Sequence, residues 1–250
     1  MANRKVIVFI PALNEEDSIG KVIAKVPRYS IPNYDVEIIV INDGSTDGTI
    51  QAAITAGADD VVSFDHNRGL GAAVRAGLQE CYLRGAEIGV MIDADNEYPA
   101  NEIPQLVAPI ISGEADYTMG ARILGHIDGM RLHRRWGNYF FTALQSILLR
   151  CKIYDGQSGM RAFSRQALAH AEIIHDYNYA QVLTLNLVRK GFVMQEVPIS
   201  YQVRTSGQSF IRFWAYVSAV FPAMLREMVR PVQKQSRQQI TSNNAREKSA

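Results

Sequence analysis

Four apolar, β-branched runs organise the first part of the chain: KVIVFI at 5–10, VEIIVIN at 36–42, DVVSF at 60–64 and EIGVMID at 87–93. They are nearly continuous rather than alternating, which is the pattern of strands buried on both faces of a mostly parallel sheet. Helix-length segments separate them: Glu15 to Val26, stopped by Pro27; Thr46 to Ala56, ended by Gly57; and Leu70 to Arg84, ended by Gly85. The first half therefore reads as a βαβαβαβ wind. Further strands are predicted at 115–119 (ADYTM) and 192–203 (FVMQEVPISYQV), with helices near 101–112, 134–150, 164–171 and 179–190. The fold class is α/β, a mostly parallel central sheet flanked by helices.

At 250 residues and 47% hydrophobic, the chain is long enough to bury a full core. A net charge of +1 offers no general attraction to nucleic acid, but the charge is uneven. From residue 201 on there are eight Lys/Arg against two acids. Cys81 and Cys151 stand far apart with no CxxC, so neither a disulfide framework nor a thiolate metal site is expected, and a reducing cytosol fits. The apolar run at the N-terminus, Val6 to Ile10, is only five residues long before Pro11, too short for a signal peptide or a membrane span.

In an open α/β sheet, ligands gather beyond the carboxyl ends of the strands. The polar clusters PALNEED, NDGSTDGT, DHNRGLG and DADNEYP follow the four strands in turn. Within NDGSTDGT, Ser45, Thr46 or Asp47 suits a helix N-cap, while Asp43 is a short acceptor suited to the ribose or base of a nucleotide. GLGAAV at 69–74 has Val74 where the dinucleotide fingerprint needs its third glycine, and it follows the third strand, so Arg68, Gly69 and Gly71 are read as shaping a close turn at a helix start. The informative element is DAD: Asp93 and Asp95 can reach one point, and two anions so close repel unless a proton or cation lies between them. Mg²⁺ or Mn²⁺ with oxygen ligands would resolve this and leave positions open for a diphosphate. The alternative is that one Asp caps the next helix and the other faces water.

PALNEE, NDGSTDGT, NRGLGAAVRAG, DADNEYP, GAR, YDGQSGMRAFS and EVPISYQVRTSGQS occur in this order, and the chain thereby resembles family 2 glycosyltransferases of the GT-A fold over roughly residues 4–215. The nearest likeness is to the dolichyl-phosphate mannosyltransferase or polyprenyl-phosphate glycosyltransferase branch. That resemblance implies a metal held by Asp93, Asp95 and Gln157, with Pro11, Leu13, Glu15, Asp43, Ala94 and Ser158 in the donor site and Arg204 near the diphosphate. Relatives often carry an aromatic residue where Leu13 stands and a lysine at or near Gln208. The basic segment RILGHIDGMRLHRRW is either a solvated face or a phosphate grip, since arginine suits paired N–H bonds to phosphate. The resemblance assigns Arg122 and one of Arg131, Arg134 or Arg135 to an acceptor phosphate, and Arg135 is preferred.

The expected activity is inverting, metal-dependent transfer of a hexose from a nucleotide-diphosphate sugar to a polyprenyl phosphate. The alternatives are a soluble hydroxyl acceptor, which would need a base such as Asp155 or Glu97, and a nucleotide-sugar-binding subunit without turnover. The segment at 210–230 has an uncharged apolar stretch of thirteen residues, Phe213 to Leu225, flanked by Arg212, Arg226 and Arg230. Two readings stand for it: a helix lying in the lipid headgroup plane, or one docked on the protein's own core. Its place after the candidate site favours the peripheral membrane contact. The expected organisation is a catalytic domain over 1–208, this helix over 209–231 and a disordered basic tail over 232–250.

Overall fold

Along the first strand, β1 (Arg4–Ala12), Val6, Val8 and Ile10 face one side of a sheet and Ile7 and Phe9 the other, all fully buried. This two-sided burial is why the run is apolar throughout. The computed structural model describes residues 4–129, 132–177, 179–203 and 213–235, without the side chains of 132–136 and 213–217. The predicted wind is present as β1, α1 (Ile19–Lys25), β2 (Tyr34–Asn42), α2 (Thr49–Thr55), β3 (Asp60–Ser63), α3 (Leu70–Leu83) and β4 (Ile88–Met91). After it come α4 (Ile103–Ile111), β5 (Tyr117–Ala121), β6 (Ile127–Asp128), α5 (Leu132–Leu149), β7 (Arg161–Ser164), α6 (Arg165–His170), α7 (Ala180–Arg189), β8 (Met194–Pro198), β9 (Tyr201–Gln202) and α8 (Phe213–Val229).

Among the described residues the main sheet has seven strands in the order β3-β2-β1-β4-β7-β5-β8, and β6 pairs with β9 beside it. Helices α1, α2 and α4 cover the Val6 face, and α3, α6 and α7 cover the Ile7 face. Strands β1, β2, β3 and β4 run parallel, so their carboxyl ends share one edge.

The structure departs from expectation at several elements; α2, for one, begins at Thr49 rather than Thr46. The first helix begins at Ile19 rather than Glu15, because the Glu15 carbonyl accepts the Ser18 and Ile19 N–H groups in a turn that precedes it. The predicted strand over 192–203 is broken at Ile199–Ser200 into β8 and β9, which join different sheets. Strand β7 was not predicted: it has four residues, and the Ser164 hydroxyl that ends it also caps α6 by accepting the Ala167 N–H at 3.2 Å. With no loop between them, the strand is hidden in front of a helix pattern. It is the antiparallel member of the sheet, with Arg161 level with Met91 and with Met119.

Helix α8 docks on the protein. Val220 and Met224 pack with Phe141 of α5 and Leu185 of α7, and Glu227 is fully buried. The Glu227 carboxylate accepts from Asn186 Nδ2 at 3.0 Å and Arg230 Nε at 3.1 Å. Arg189 donates to the carbonyls of Glu227 and Arg230, which satisfies the end of the helix. The opposite face leaves Phe221, Leu225 and Val229 exposed. Of the tail expected to be disordered, residues 232–235 are described and lie beside the end of α7, where the Gln235 N–H donates to the Lys190 carbonyl at 2.7 Å; 236–250 fall outside the described residues.

Glu227→Ala removes the acceptor shared by Asn186 and Arg230 and is expected to cost about 2 kcal/mol, less than a wholly buried pair because Arg230 can reach water. Urea denaturation of this variant and of Glu227→Gln, which keeps one acceptor and should lose less, measures it.

Candidate active site

The edge where β1 and β2 end is closed by two loops that bond to each other. Asn14, in the left-handed region at φ 53°, receives a hydrogen bond at Oδ1 from the Thr46 N–H at 2.9 Å, and its own N–H donates to Ser45 Oγ at 3.0 Å. The Glu15 N–H donates to Thr49 Oγ1 at 2.8 Å, and the Gly48 N–H to Glu16 Oε2 at 2.7 Å. Glu15 itself accepts from the Ser18 hydroxyl at 2.7 Å. Pro11 is buried and Leu13 half-buried beside this lock.

Asp43 is almost fully buried, and its two carboxylate oxygens accept the Arg68 and Gly69 N–H groups at 2.7 and 3.0 Å. It therefore pins the start of α3 to the end of β2, and any further acceptance uses remaining lone pairs. At the same helix start the Gly71 N–H donates to the Asp176 carbonyl at 2.6 Å, and a Cβ on Gly71 would collide with the His175 and Asp176 carbonyls. GLG is thus a close-packed turn capped by protein, as its sequence position implied.

The acidic pair lies at the tip of β4. Asp93 is half-buried, and its carboxyl is held well above the usual carboxylate range, first by burial and then by the negative charges of Asp95 and Glu97; Arg161 and Arg122 oppose this. Asp95 Oδ1 accepts the Glu97 N–H at 3.0 Å, a local turn that holds the second carboxylate two residues beyond the first. Ala94 is buried between them.

Strand β7 carries the other half of the site here. Because Arg161 is level with Met91, residues 155–160 enter the sheet at the β4 tip. Gly159 packs directly on the Asp93 carboxylate: a Cβ there would overlap it, and the Gly159 N–H donates to the buried Tyr98 hydroxyl at 3.0 Å. Gln157 stands two residues before this contact, half-buried. Ser158 is fully buried, with its hydroxyl accepting the Met160 N–H at 3.3 Å.

Arg122, at the end of β5, is buried and bidentate to Asp155, with Nε to Oδ2 at 2.6 Å and a second guanidinium nitrogen to Oδ1 at 2.7 Å. Its own N–H adds a bond to Asp155 Oδ2 at 2.9 Å, and the guanidinium lies over the Tyr201 ring. Asp155, 1% exposed, is a counter-ion to Arg122 and not a base open to an acceptor. Arg131, Arg204 and Gln208 lie outside the described residues; Arg134 and Arg135 fall in the first turn of α5, where side chains are not described. Tyr179 is a core residue against Arg161, whereas Tyr177 is exposed.

Two charged groups that bond to the 154–159 loop, Arg161 and the half-buried Glu196, are not singled out by the sequence. Arg161 is fully buried and donates to the carbonyls of Ser158 and Gly156 at 2.8 and 3.2 Å. Glu196 of β8 accepts the Tyr154 and Asp155 N–H groups at 2.8 and 2.7 Å, and burial raises its carboxyl above the ordinary value. The signal available was a charged residue within each strand, in GMRAFS and in MQEVP.

Among the described residues no three His, Cys, Asp or Glu side chains form a metal cluster. Asp93, Asp95 and the Gln157 amide supply oxygen donors only, and the missing Cβ of Gly159 lets the loop reach Asp93. This donor set fits a hard divalent ion with open positions for ligand oxygens.

The family model for glycosyl transferase family 2 matches residues 7–171. A UDP-N-acetylglucosamine–dolichyl-phosphate N-acetylglucosaminyltransferase of Methanococcus voltae is 32% identical over 67% of this chain and 72% of that protein. The polyprenol monophosphomannose synthase of Mycolicibacterium smegmatis is 29% identical over 82% of this chain and 80% of its own. Among solved structures, glucosyl-3-phosphoglycerate synthase from Mycobacterium tuberculosis, in complex with Mn²⁺, UDP-glucose and glycerol 3-phosphate, superposes with a TM-score of 0.73 at 26% identity, covering 92% of this chain and 82% of that one. Together with the mostly parallel sheet and the loops gathered at its carboxyl edge, these likenesses place the chain in glycosyl transferase family 2: it is a glycosyltransferase of the GT-A fold, in the polyprenyl-phosphate branch.

Proposed function

We propose that the protein transfers a hexose from a nucleoside-diphosphate sugar to a polyprenyl phosphate, with inversion at the anomeric carbon and with Mg²⁺ or Mn²⁺ at the acidic pair. The observation that carries this reading is the contact of Asp93 with the loop bearing Gln157, in a chain whose relatives are named for dolichyl and polyprenol phosphates. Asp93 and Asp95 would hold the ion with the Gln157 amide beside them, and the bound metal would supply Lewis-acid stabilisation of charge on the leaving diphosphate.

The protein's own groups bind and orient. Pro11, Leu13, Glu15, Asp43 and Ala94 frame the nucleotide, and Arg204 neutralises the diphosphate. An acceptor phosphate oxygen forms the new bond to the anomeric carbon as the bond to the diphosphate oxygen breaks, its electron pair leaving with the diphosphate. A phosphate monoester is already an anion, so no proton must be removed, which accords with Asp155 being tied to Arg122. Arg122, bidentate to Asp155, contributes fixed charge at the end of β5, and Arg135, with Arg131 and Arg134, is the direct phosphate grip.

A lipid acceptor also needs an approach to a membrane. No described helix is long and apolar enough to cross one. Helices α5 and α8, neighbours through Phe141 and Val220, expose Phe140 and Ile147 and Phe221, Leu225 and Val229 respectively, with Arg226 exposed between the latter. Such an apolar face with basic flanks suits the headgroup boundary. The second reading, a soluble acceptor carrying a phosphate group, is favoured by the likeness to glucosyl-3-phosphoglycerate synthase.

A panel of nucleotide sugars assayed with polyprenyl phosphate and with 3-phosphoglycerate separates the two: labelled hexose is expected in the organic phase, and label found only in an aqueous phosphoglycerate product would replace the lipid reading. Asp95→Asn keeps the oxygen that accepts the Glu97 N–H, so its urea midpoint should match the parent while transfer falls about 10²- to 10³-fold; near-normal turnover would defeat the metal assignment. Co-sedimentation with anionic liposomes at low salt should occur and should weaken in a Phe221→Ser, Leu225→Ser double variant, and no binding by the parent chain would remove the membrane contact.

A further inference from the structure

We infer that Arg161 and Glu196, a fully buried cation and a half-buried carboxylate, are positioning residues that clamp the 154–159 loop and so set Gln157 against Asp93. This rests on the reading of Gln157 as a metal-site group. The Arg161 guanidinium donates to the carbonyls of Gly156 and Ser158, the residues on either side of Gln157, at 3.2 and 2.8 Å. One planar fork thereby fixes the backbone before and after that side chain. From the opposite direction the Glu196 carboxylate accepts the Tyr154 N–H at 2.8 and 3.0 Å and the Asp155 N–H at 2.7 Å. The Gly156 N–H is taken by Thr142 Oγ1 at 3.1 Å, and the Gly159 N–H by the Tyr98 hydroxyl. Loop peptides on both sides of Gln157 are thus held by side chains of other elements.

A buried arginine is costly unless it is hydrogen-bonded throughout. Arg161 is fully buried, yet among the described residues its hydrogen bonds go to neutral oxygens: the two loop carbonyls, the Ala180 carbonyl at 3.0 Å, Thr184 Oγ1 at 3.0 Å and the Tyr117 hydroxyl. Asp155, Asp93 and Glu196 are near enough to interact with its charge through space. A core arginine kept only for packing has no reason to divide its fork between the two carbonyls that flank a metal-site amide.

The test is Mn²⁺ affinity of the full chain, read from the EPR signal of free Mn²⁺ with UDP or GDP present, for the parent, Gln157→Ala, Arg161→Lys, the double variant, Glu196→Gln and Thr184→Val. Arg161→Lys keeps the charge but loses the fork and is expected to weaken Mn²⁺ about tenfold, the usual effect of removing a group that orients a ligand. Adding Gln157→Ala to it should change affinity less than about twofold, because a misplaced Gln157 has little left to lose. Thr184→Val, which breaks a bond on the core side of Arg161, should lower thermal stability and leave Mn²⁺ affinity unchanged. Glu196→Gln, isosteric and with one acceptor retained, should weaken Mn²⁺ and carries the test if Arg161→Lys fails to fold. Parent-like affinity in Arg161→Lys or in Glu196→Gln, or additive effects in the double variant, would overturn the clamp. Gln157→Ala with parent-like affinity would instead overturn the metal reading of Gln157 on which the clamp depends.

Discussion

Asp93, Asp95 and Glu97 crowd negative charge at a sheet edge that the fold partly closes to water, and this is the constraint to which the rest of the site answers. Burial and mutual repulsion both push the Asp93 carboxyl towards its neutral form. The structure offsets them from behind, with Arg161 fully buried and Arg122 nearly so. A cation in front would complete the balance.

The antiparallel strand β7 brings these charges together. A purely parallel sheet would deliver only the loops after β1, β2, β3 and β4 to this edge. By reversing direction between β4 and β5, β7 starts where they end, so its first residue, Arg161, and the loop before it face the acidic pair. Gly159 then has to lack a side chain, because Asp93 occupies that space. The rest of the loop is secured by Thr142 of α5, by Arg122 just after β5 and by Glu196 of β8, so the geometry of the site depends on much of the second half of the fold.

Much of this was legible in the sequence, for physical reasons that differ by element. Runs such as KVIVFI and VEIIVIN announce doubly buried strands, and the turn-forming clusters after them mark the binding edge. Asp93 and Asp95 stood out because two carboxylates one residue apart need a partner. Strand β7 was hidden because four residues carry too little periodicity and its last residue caps a helix. Glu196 was hidden because its role depends on contacts far along the chain: it meets residues 154 and 155, and nothing local predicts that meeting. Arg161 bonds to the nearby Gly156 and Ser158 carbonyls, but the partners that let its guanidinium be buried, Tyr117, Ala180 and Thr184, are distant in sequence. Asp43 and Arg122 were expected at the site as ligand-facing groups, and the structure gives both a prior task, in capping α3 and pairing with Asp155. Helix α8 shows the same limit, since its apolar residues are split between a docked face anchored by Glu227 and an exposed one.

The central claim is that the tip of β4 and the Gln157 loop together hold a divalent cation against the oxygens of a nucleoside diphosphate. Anomalous scattering from crystals grown with Mn²⁺ and a nucleoside diphosphate measures this most directly. The account predicts a manganese peak within coordinating distance of the Asp93 or Asp95 carboxylate and of diphosphate oxygens. A bound nucleotide with no manganese at that tip, or manganese held elsewhere, would contradict it.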